Sequence, residues 1–246
     1  MQKDAVFSSG RMDDLISRAQ RTGITQFTPF IDPAAAWEMA RICKSIGLPC
    51  HSCGGYDEAE RRVLAVGDGA KEAVFPVQAL MVSWDKRFEG PAHHDILGAI
   101  MALGVKRETF GDILAGDGAA YVFALSTMAQ TILLLSSAGR ATVRVDYCEP
   151  KDIIKPRGRT VSATFKSFRL DAIVAEAMRI SRPGASQLIS QGRVFLNFVP
   201  CLKADERIKT GDIISVRGMG RVKIGEAGGR SRKDRIYLTM EVFSRT

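Results

Sequence analysis

The stretch FRLDAIVAEAMRISRPGASQLISQGRVFLNF, residues 168–198, reads as two short helices feeding a strand. Leu170, Ile173, Val174 and Ala177 recur at helical spacing and form one apolar face. A second helix opens after Ser181, which stands at an N-cap, with Pro183 in the first turn, where a missing N–H costs nothing. Ile180, Ala185, Leu188 and Ile189 suit a core at the same spacing, Gly192 closes the helix, and Val194 and Leu196 then alternate as a strand. Asp171 lies at the start of the first helix, where the helix dipole stabilises a carboxylate. Arg179 and Arg182 flank the start of the second, and free N–H groups beside two guanidiniums make an anion site.

Charge supports that assignment. Residues 1–150 hold 15 Lys and Arg against 18 Asp and Glu, a net of −3, whereas residues 151–246 hold 20 against 9, a net of +11. A near-neutral body joined to a strongly basic segment is the electrostatic footprint of a polyanion binder. The 46% apolar content suffices for real cores. No apolar run approaches the roughly 18 residues of a membrane span. The start MQKDAVFSSGRMDD lacks the apolar region of a secretory signal, so a cytoplasmic protein without membrane partners is expected. Five cysteines, an odd number, then read as reduced thiols.

Working outward, helices are expected over 11–22 and from Asp32, with Pro33 at its first position and Gly47 past its end, then a strand at 48–53, a helix at 57–66 and a strand at 77–84. A helix from His93 to Leu103, a hairpin of strands 110–115 and 119–125, a helix over 127–138 and a strand over 140–147 follow. With the strand ahead of it, that order is β-α-β-β-α-β, ferredoxin-like or RRM-like. Residues 149–160, with two prolines and several basic side chains, read as a linker.

Other motifs resolve to structure. The repeated GDGA at 67–70 and 116–119 lacks the context of a nucleotide loop, and Asp117-Gly118 between alternating strands is a hairpin turn. CHSC at 50–53, with Cys43 upstream, has no second ligand pair at finger spacing, so no metal is expected. His93-His94 open a helix without an HExxH context. Tyr121 and Phe123 alternate as RNA-stacking aromatics do on an RRM sheet, but AAYVFALS lacks that motif's glycine and basic residue, and core packing is the favoured role. There is no G-x-S-x-G, no Cys–His–Asn set and no carboxylate cluster for two metals.

Arg169-Leu170-Asp171, Ser181-Arg182, Leu188-Ile189, Gly192, Val194, Asn197 and Gly211-Asp212 before the strand IISVRG resemble, in order and spacing, the S4 RNA-binding domain. Further upstream, FTPFIDPAAAWEMA, GGYDEAERRVLAVG and HHDILGAIMALGVKRETFGDIL are similar to the bacterial YlmH-like family. That resemblance implies an N-terminal domain, an RRM-like middle domain and a C-terminal S4 domain. It also implies a ribosome-associated, RNA-binding protein from cell-division gene clusters, acting in rescue of stalled large subunits, its S4 face meeting ribosomal RNA and tRNA.

The expectation is therefore an α+β chain: an N-terminal α/β unit at 1–82, an RRM-like domain at 83–150, a linker at 151–161 and an S4 domain at 162–246. The expected RNA face comprises Arg169, Arg179, Ser181, Arg182, Gln187, Arg193, Asn197, Arg217 and Lys223, with Lys106-Arg107 as a lesser second contact. Arginines would clamp phosphates, Ser181 would cap the helix or touch the RNA backbone, and Asn197 would orient the strand turn. The basic loop GGRSRKDR at 228–235 is either a further contact or a hairpin tip. No catalytic residue, cofactor or metal is expected, and the chain is expected to be a monomer. The rival is an RNA-modifying enzyme, since Arg-Leu-Asp also occurs around the catalytic aspartate of some pseudouridine synthases. Only 75 residues follow Asp171, too few for a catalytic domain after it.

Overall fold

A computed structural model describes residues 7–57, 59–116, 118–149, 158–231 and 234–244. The chain divides into two compact units, Met1–Lys155 and Pro156–Thr246.

In the first unit, α1 (Ser9–Thr22), β1 (Gln26–Phe27), α2 (Pro33–Ser45), β2 (Cys50–Cys53) and β3 (Val63–Val66) come first. The Asp32 carboxylate accepts the N–H groups of Ala34 and Ala35, and Pro33 occupies the first helical position of α2. The helix expected over 57–66 is not formed. Its apolar end is instead β3, the central strand of a three-stranded antiparallel sheet ordered β1-β3-β2. Leu64 and Val66 pack with α1 and α2, while Val63 faces an aromatic cluster on the other side. A strand covered on both faces shows an unbroken apolar run, which periodicity cannot separate from a buried helix.

The unit continues with β4 (Val77–Ser83), α3 (His93–Ala102), β5 (Phe110–Ala115), β6 (Ala119–Leu125) and α4 (Ser126–Ile132). The short pair β7 (Ser137–Ala138) and β8 (Ala141–Thr142) leads to β9 (Arg144–Tyr147). The antiparallel sheet β5-β6-β4-β9 has the ferredoxin-like order. Strand β4 pairs with both β6 and β9, so a boundary at 82/83 would cut a central strand from its own sheet. The helix expected to reach 138 ends at Ile132, because Ser136-Ser137-Ala138-Gly139 turns into the β7–β8 hairpin with Gly139 at φ +58°.

Period-2 alternation sorts the sheet. Leu80, Val82, Ala120, Val122 and Ala124 face α3 and α4, while Ala79, Tyr121 and Phe123 face the other way. The Gly67 turn has φ +127°, a conformation reserved for glycine, and the amide of Ala70 donates to the Gly67 carbonyl. At the second GDGA, the Gly116 amide donates to the Ala119 carbonyl and Gly118 has φ +80°; Asp117 lies outside the described residues.

In the second unit, β10 (Arg159–Phe165), α5 (Leu170–Met178), α6 (Arg182–Ser190), β11 (Val194–Leu196), β12 (Val199–Pro200), β13 (Ile213–Val216), β14 (Gly220–Arg230) and β15 (Ile236–Ser244) follow. The strands form one antiparallel sheet, ordered β10-β15-β14-β13-β11-β12. Helices α5 and α6 cover one face of it. Ile173, Val174, Ala177, Ala185 and Ile189 pack there on Val194, Ile214, Val216, Val222, Ile224, Met240 and Val242. The loop at 228–235 is the β14–β15 hairpin. Arg230 pairs with Asp234 in it and Arg235 Nε donates to the Thr164 carbonyl (3.1 Å), while Arg232 and Lys233 lie outside the described residues. Most of the expected linker, residues 151–157, also lies outside them.

Candidate nucleic-acid interface

Asp171 is the organising residue of the α5–α6 pair. Its side chain is 6% exposed, a costly position for a carboxylate without partners. Arg169 meets it with a two-pronged fork (Nε–Oδ1 3.2 Å, Nη2–Oδ2 3.1 Å), and Arg182 meets it with another (Nε–Oδ2 and Nη2–Oδ1, both 3.1 Å). The amides of Leu170 and Asp171 donate to the carbonyls of Glu206 and Ala204, anchoring the start of α5. Burial pushes the Asp171 carboxyl up, and the two guanidiniums together outweigh it, holding the group below its ordinary value of 3.8; the bond to Asp171 pushes Arg169 up. The helix dipole alone is thus too small a role for Asp171.

Arg169 and Arg182 are not consumed by this pairing. A guanidinium has five N–H donors, and each fork uses two, leaving three aimed away from the carboxylate. Both side chains remain open to solvent, 37% and 54% exposed. The result is a pair of arginines fixed in orientation with donors to spare.

The helix start contributes less than the sequence suggests. Ser181 Oγ accepts the Gly184 amide (3.2 Å) as an N-cap, and Pro183 has no N–H, so among the first three helical residues only Arg182 has an amide to offer a ligand. Arg179 ends α5 at φ +55°, a left-handed conformation rare outside glycine, and its side chain is exposed; Gln187 is exposed on α6.

The remaining candidates lie elsewhere. Asn197 has φ +48° in the tight β11–β12 turn, its amide nitrogen donates to Asp212 (2.9 Å), and its side-chain oxygen accepts the Ile213 amide (3.0 Å), so its bonds go to structure. Arg193, Arg217 and Lys223 alternate with buried Val194, Val216, Val222 and Ile224. They therefore project from the sheet face opposite α5 and α6. The single face expected from sequence is two faces of one sheet-and-helix unit. Arg221, outside the set expected from sequence, shares the second; its alternation with Val222 in GRVKIG was the available signal.

In the first unit, the sheet face on which RRM-like domains stack bases is occupied by the chain itself. Tyr121 and Phe123 are 4% and 0% exposed and cluster with Phe30, Val63 and Ala79. Tyr56 stacks on Phe123 (centroids 4.9 Å apart), and Asp112 accepts bonds from Tyr56 Oη (2.8 Å) and the Glu60 and Arg61 amides. A Cβ on Gly55 would stand 2.2 Å from the Phe123 ring, and one on Gly111 would stand 2.6 Å from Phe30. Arg107 bonds inward to the carbonyls of Phe110 (2.7 Å) and Gly111 (3.1 Å), leaving Lys106 as the exposed member of that pair. Cys50 and Cys53, an odd number of residues apart on β2, point to opposite faces of the strand, and no cluster of three or more potential metal ligands occurs among the described residues.

The pH dependence follows from Asp171. A carboxylate whose folded pKa is depressed contributes stability above its unfolded value, and that contribution is lost as pH falls through the folded value. The second unit should therefore lose thermal stability progressively below about pH 4, with Arg182 and Arg169 left as unpaired neighbours. Asp171→Asn should flatten that part of the melting-temperature profile; a variant profile parallel to the parent's down to about pH 2 would show that Asp171 is not the titrating group.

A helix pair with a basic face on an antiparallel sheet, preceded by a ferredoxin-like unit, defines an S4-domain protein. Residues 168–214 match the S4 domain family, and residues 70–152 match the family described as "Putative RNA-binding domain in YlmH". The chain is 30% identical over 226 residues to the "Ribosome-associated protein quality control protein P2" of Bacillus subtilis, covering 88% of this chain and 86% of that one. Its fold is similar to that of the "Cell division protein ylmH from Streptococcus pneumoniae", with a TM-score of 0.51 and 22% identity over 59% of this chain and 92% of that one. The chain belongs to the YlmH family.

Proposed function

We propose that this protein binds structured RNA through the α5–α6 face of its second unit, acting without catalysis of its own as a ribosome-associated factor in translation. The carrying observation is the double fork on Asp171, which presents Arg169 and Arg182 with unused donors beside the start of α6. The net charge of +11 over residues 151–246 supports a polyanion as the ligand. The name of the Bacillus relative supports the ribosome as its setting. On this proposal the ligands are ribosomal RNA of the large subunit and tRNA, and the protein works as a cytoplasmic monomer. No helix among the described residues is long and apolar enough to cross a membrane. Treating RNA with the pure protein and mapping its bases tests the absence of catalysis, since a modified base would support the rival enzyme.

Arg182→Ala tests the interface. One charged hydrogen bond is worth on the order of 1.5–3 kcal/mol, so affinity for a structured RNA should fall roughly tenfold or more. The variant neutralises one phosphate fewer and displaces fewer counterions, so the slope of log affinity against log salt should become shallower by about one. Arg182→Lys should recover part of the affinity, because a point charge cannot reproduce a planar fork. Lys44→Ala, an exposed position on α2, is the control. Filter binding of the full chain across a salt series reads all three; an Arg182→Ala protein with parental affinity and slope ends the proposal for this face.

A further inference from the structure

The face of the second unit's sheet turned away from α5 and α6 carries its own pattern. Cross-strand pairing aligns Phe195 of β11, Ser215 of β13, Arg221 of β14 and Phe243 of β15 in one row. All four alternate with buried residues, so all four side chains point outward. The Arg217 guanidinium lies over the Phe195 ring at 5.7 Å, and the Arg221 guanidinium lies over the Phe243 ring at 5.6 Å. Arg193, in register beside Arg217 and donating to its carbonyl (3.0 Å), flanks the row on one side. Lys223 flanks it on the other, opposite Glu241, which is the acidic side chain among these rows. Among the described residues, four cations and two aromatic rings with an arginine over each thus share one face with one carboxylate, Glu241.

We infer that this face is a second RNA-binding surface, built for an unpaired segment continuous with the structured RNA held by the helices. The inference rests on the RNA-binding function proposed above and adds a site and a ligand class to it. Charge selects a polyanion. The guanidinium–ring pairs select unpaired bases, because guanidiniums and aromatic rings stack on exposed base faces, which a duplex keeps buried in its own stack. An acidic protein surface would satisfy the cations but leave the two aromatic rings without a role.

The experiment uses the full chain and two probes, a blunt RNA hairpin and the same hairpin with an unpaired uridine tail of roughly ten nucleotides, a length within the range that small single-strand sites cover. The parent should bind the tailed probe about tenfold tighter than the blunt one. The double variant Arg217→Ala/Arg221→Ala should lose that increment and hold its blunt-probe affinity within about twofold. Lys223→Gln, at an exposed position, removes the cation without setting a second carboxylate opposite Glu241; it should cut the increment with a melting temperature close to the parent's, and it decides the matter if the double variant does not fold. Arg182→Ala should weaken both probes and keep the ratio between them. No increment in the parent overturns the inference, as does an increment that survives both the double variant and Lys223→Gln, which assigns the face to another partner. If Arg182→Ala has no effect while the increment responds as expected, the helix-face proposal fails and the second surface stands.

Discussion

Replacing Phe123 with alanine is expected to destabilise the first unit by about 3–5 kcal/mol while leaving RNA affinity unchanged. Phe123 is fully buried, its ring stacks on Tyr56 at 4.9 Å, and Gly55 approaches it so closely that no Cβ would fit. Removing the ring leaves a cavity between two sheets, each already fixed by its own hydrogen bonds, so collapse is limited and the cost sits at the upper end for a core truncation. Were this face a platform for bases, as its place on the ferredoxin-like sheet suggests, the same change would cost affinity. Chemical denaturation followed by circular dichroism, with RNA affinity measured under native conditions, separates the two. A tenfold loss of affinity with parental stability would mean that the N-terminal layer opens to admit RNA.

Asp171→Ala is expected to lower the stability of the second unit by about 2–3 kcal/mol and its RNA affinity by roughly tenfold. The stability term is smaller than for a fully buried pair, because Arg169 and Arg182 are 37% and 54% exposed and regain water when the carboxylate goes. Two effects on affinity oppose each other. Removing a negative charge from beside a phosphate site helps by at most about 1 kcal/mol in water-like screening. Releasing two arginines, each with up to about 2 kcal/mol of rotamer entropy to lose again on binding, costs more. Orientation wins. The signature of a positioning residue is a lower affinity at an unchanged salt slope, since both cations remain, whereas Arg182→Ala lowers the slope. An Asp171→Ala protein that binds RNA as tightly as the parent, measured below its melting temperature, would show that the arginines need no anchor.

Much of this was legible in the chain. The two helices of the S4 unit were readable from the spacing of Leu170, Ile173, Val174 and Ala177 and from Ser181 before Pro183, because caps and apolar periodicity are local signals. The hairpin strands 110–115 and 119–125 matched for the same reason. The misread segment, 57–66, failed where local pattern is ambiguous: Val63–Val66 is apolar throughout because two layers cover it, and which layers meet is not encoded at any one position.

By itself the sequence determined the α+β class, the concentration of positive charge after residue 150 and the S4 character of residues 168–214. Each depends on spacing or composition that a linear chain displays. Tertiary structure decided what the residues face. It turned Arg169 and Arg182 onto one carboxylate, placed Arg217 and Lys223 on the opposite side of the sheet from them, and buried Tyr121 and Phe123 beneath the N-terminal layer. Those outcomes hinge on pairing between segments far apart in sequence. Phe195 comes to lie in one row with Arg221 only because β11 pairs with β13 and β13 with β14 in a fixed register. Such a register sets a side chain's face by strand parity rather than by its neighbours in the chain, and a slip of one residue would send every one of these side chains to the other face.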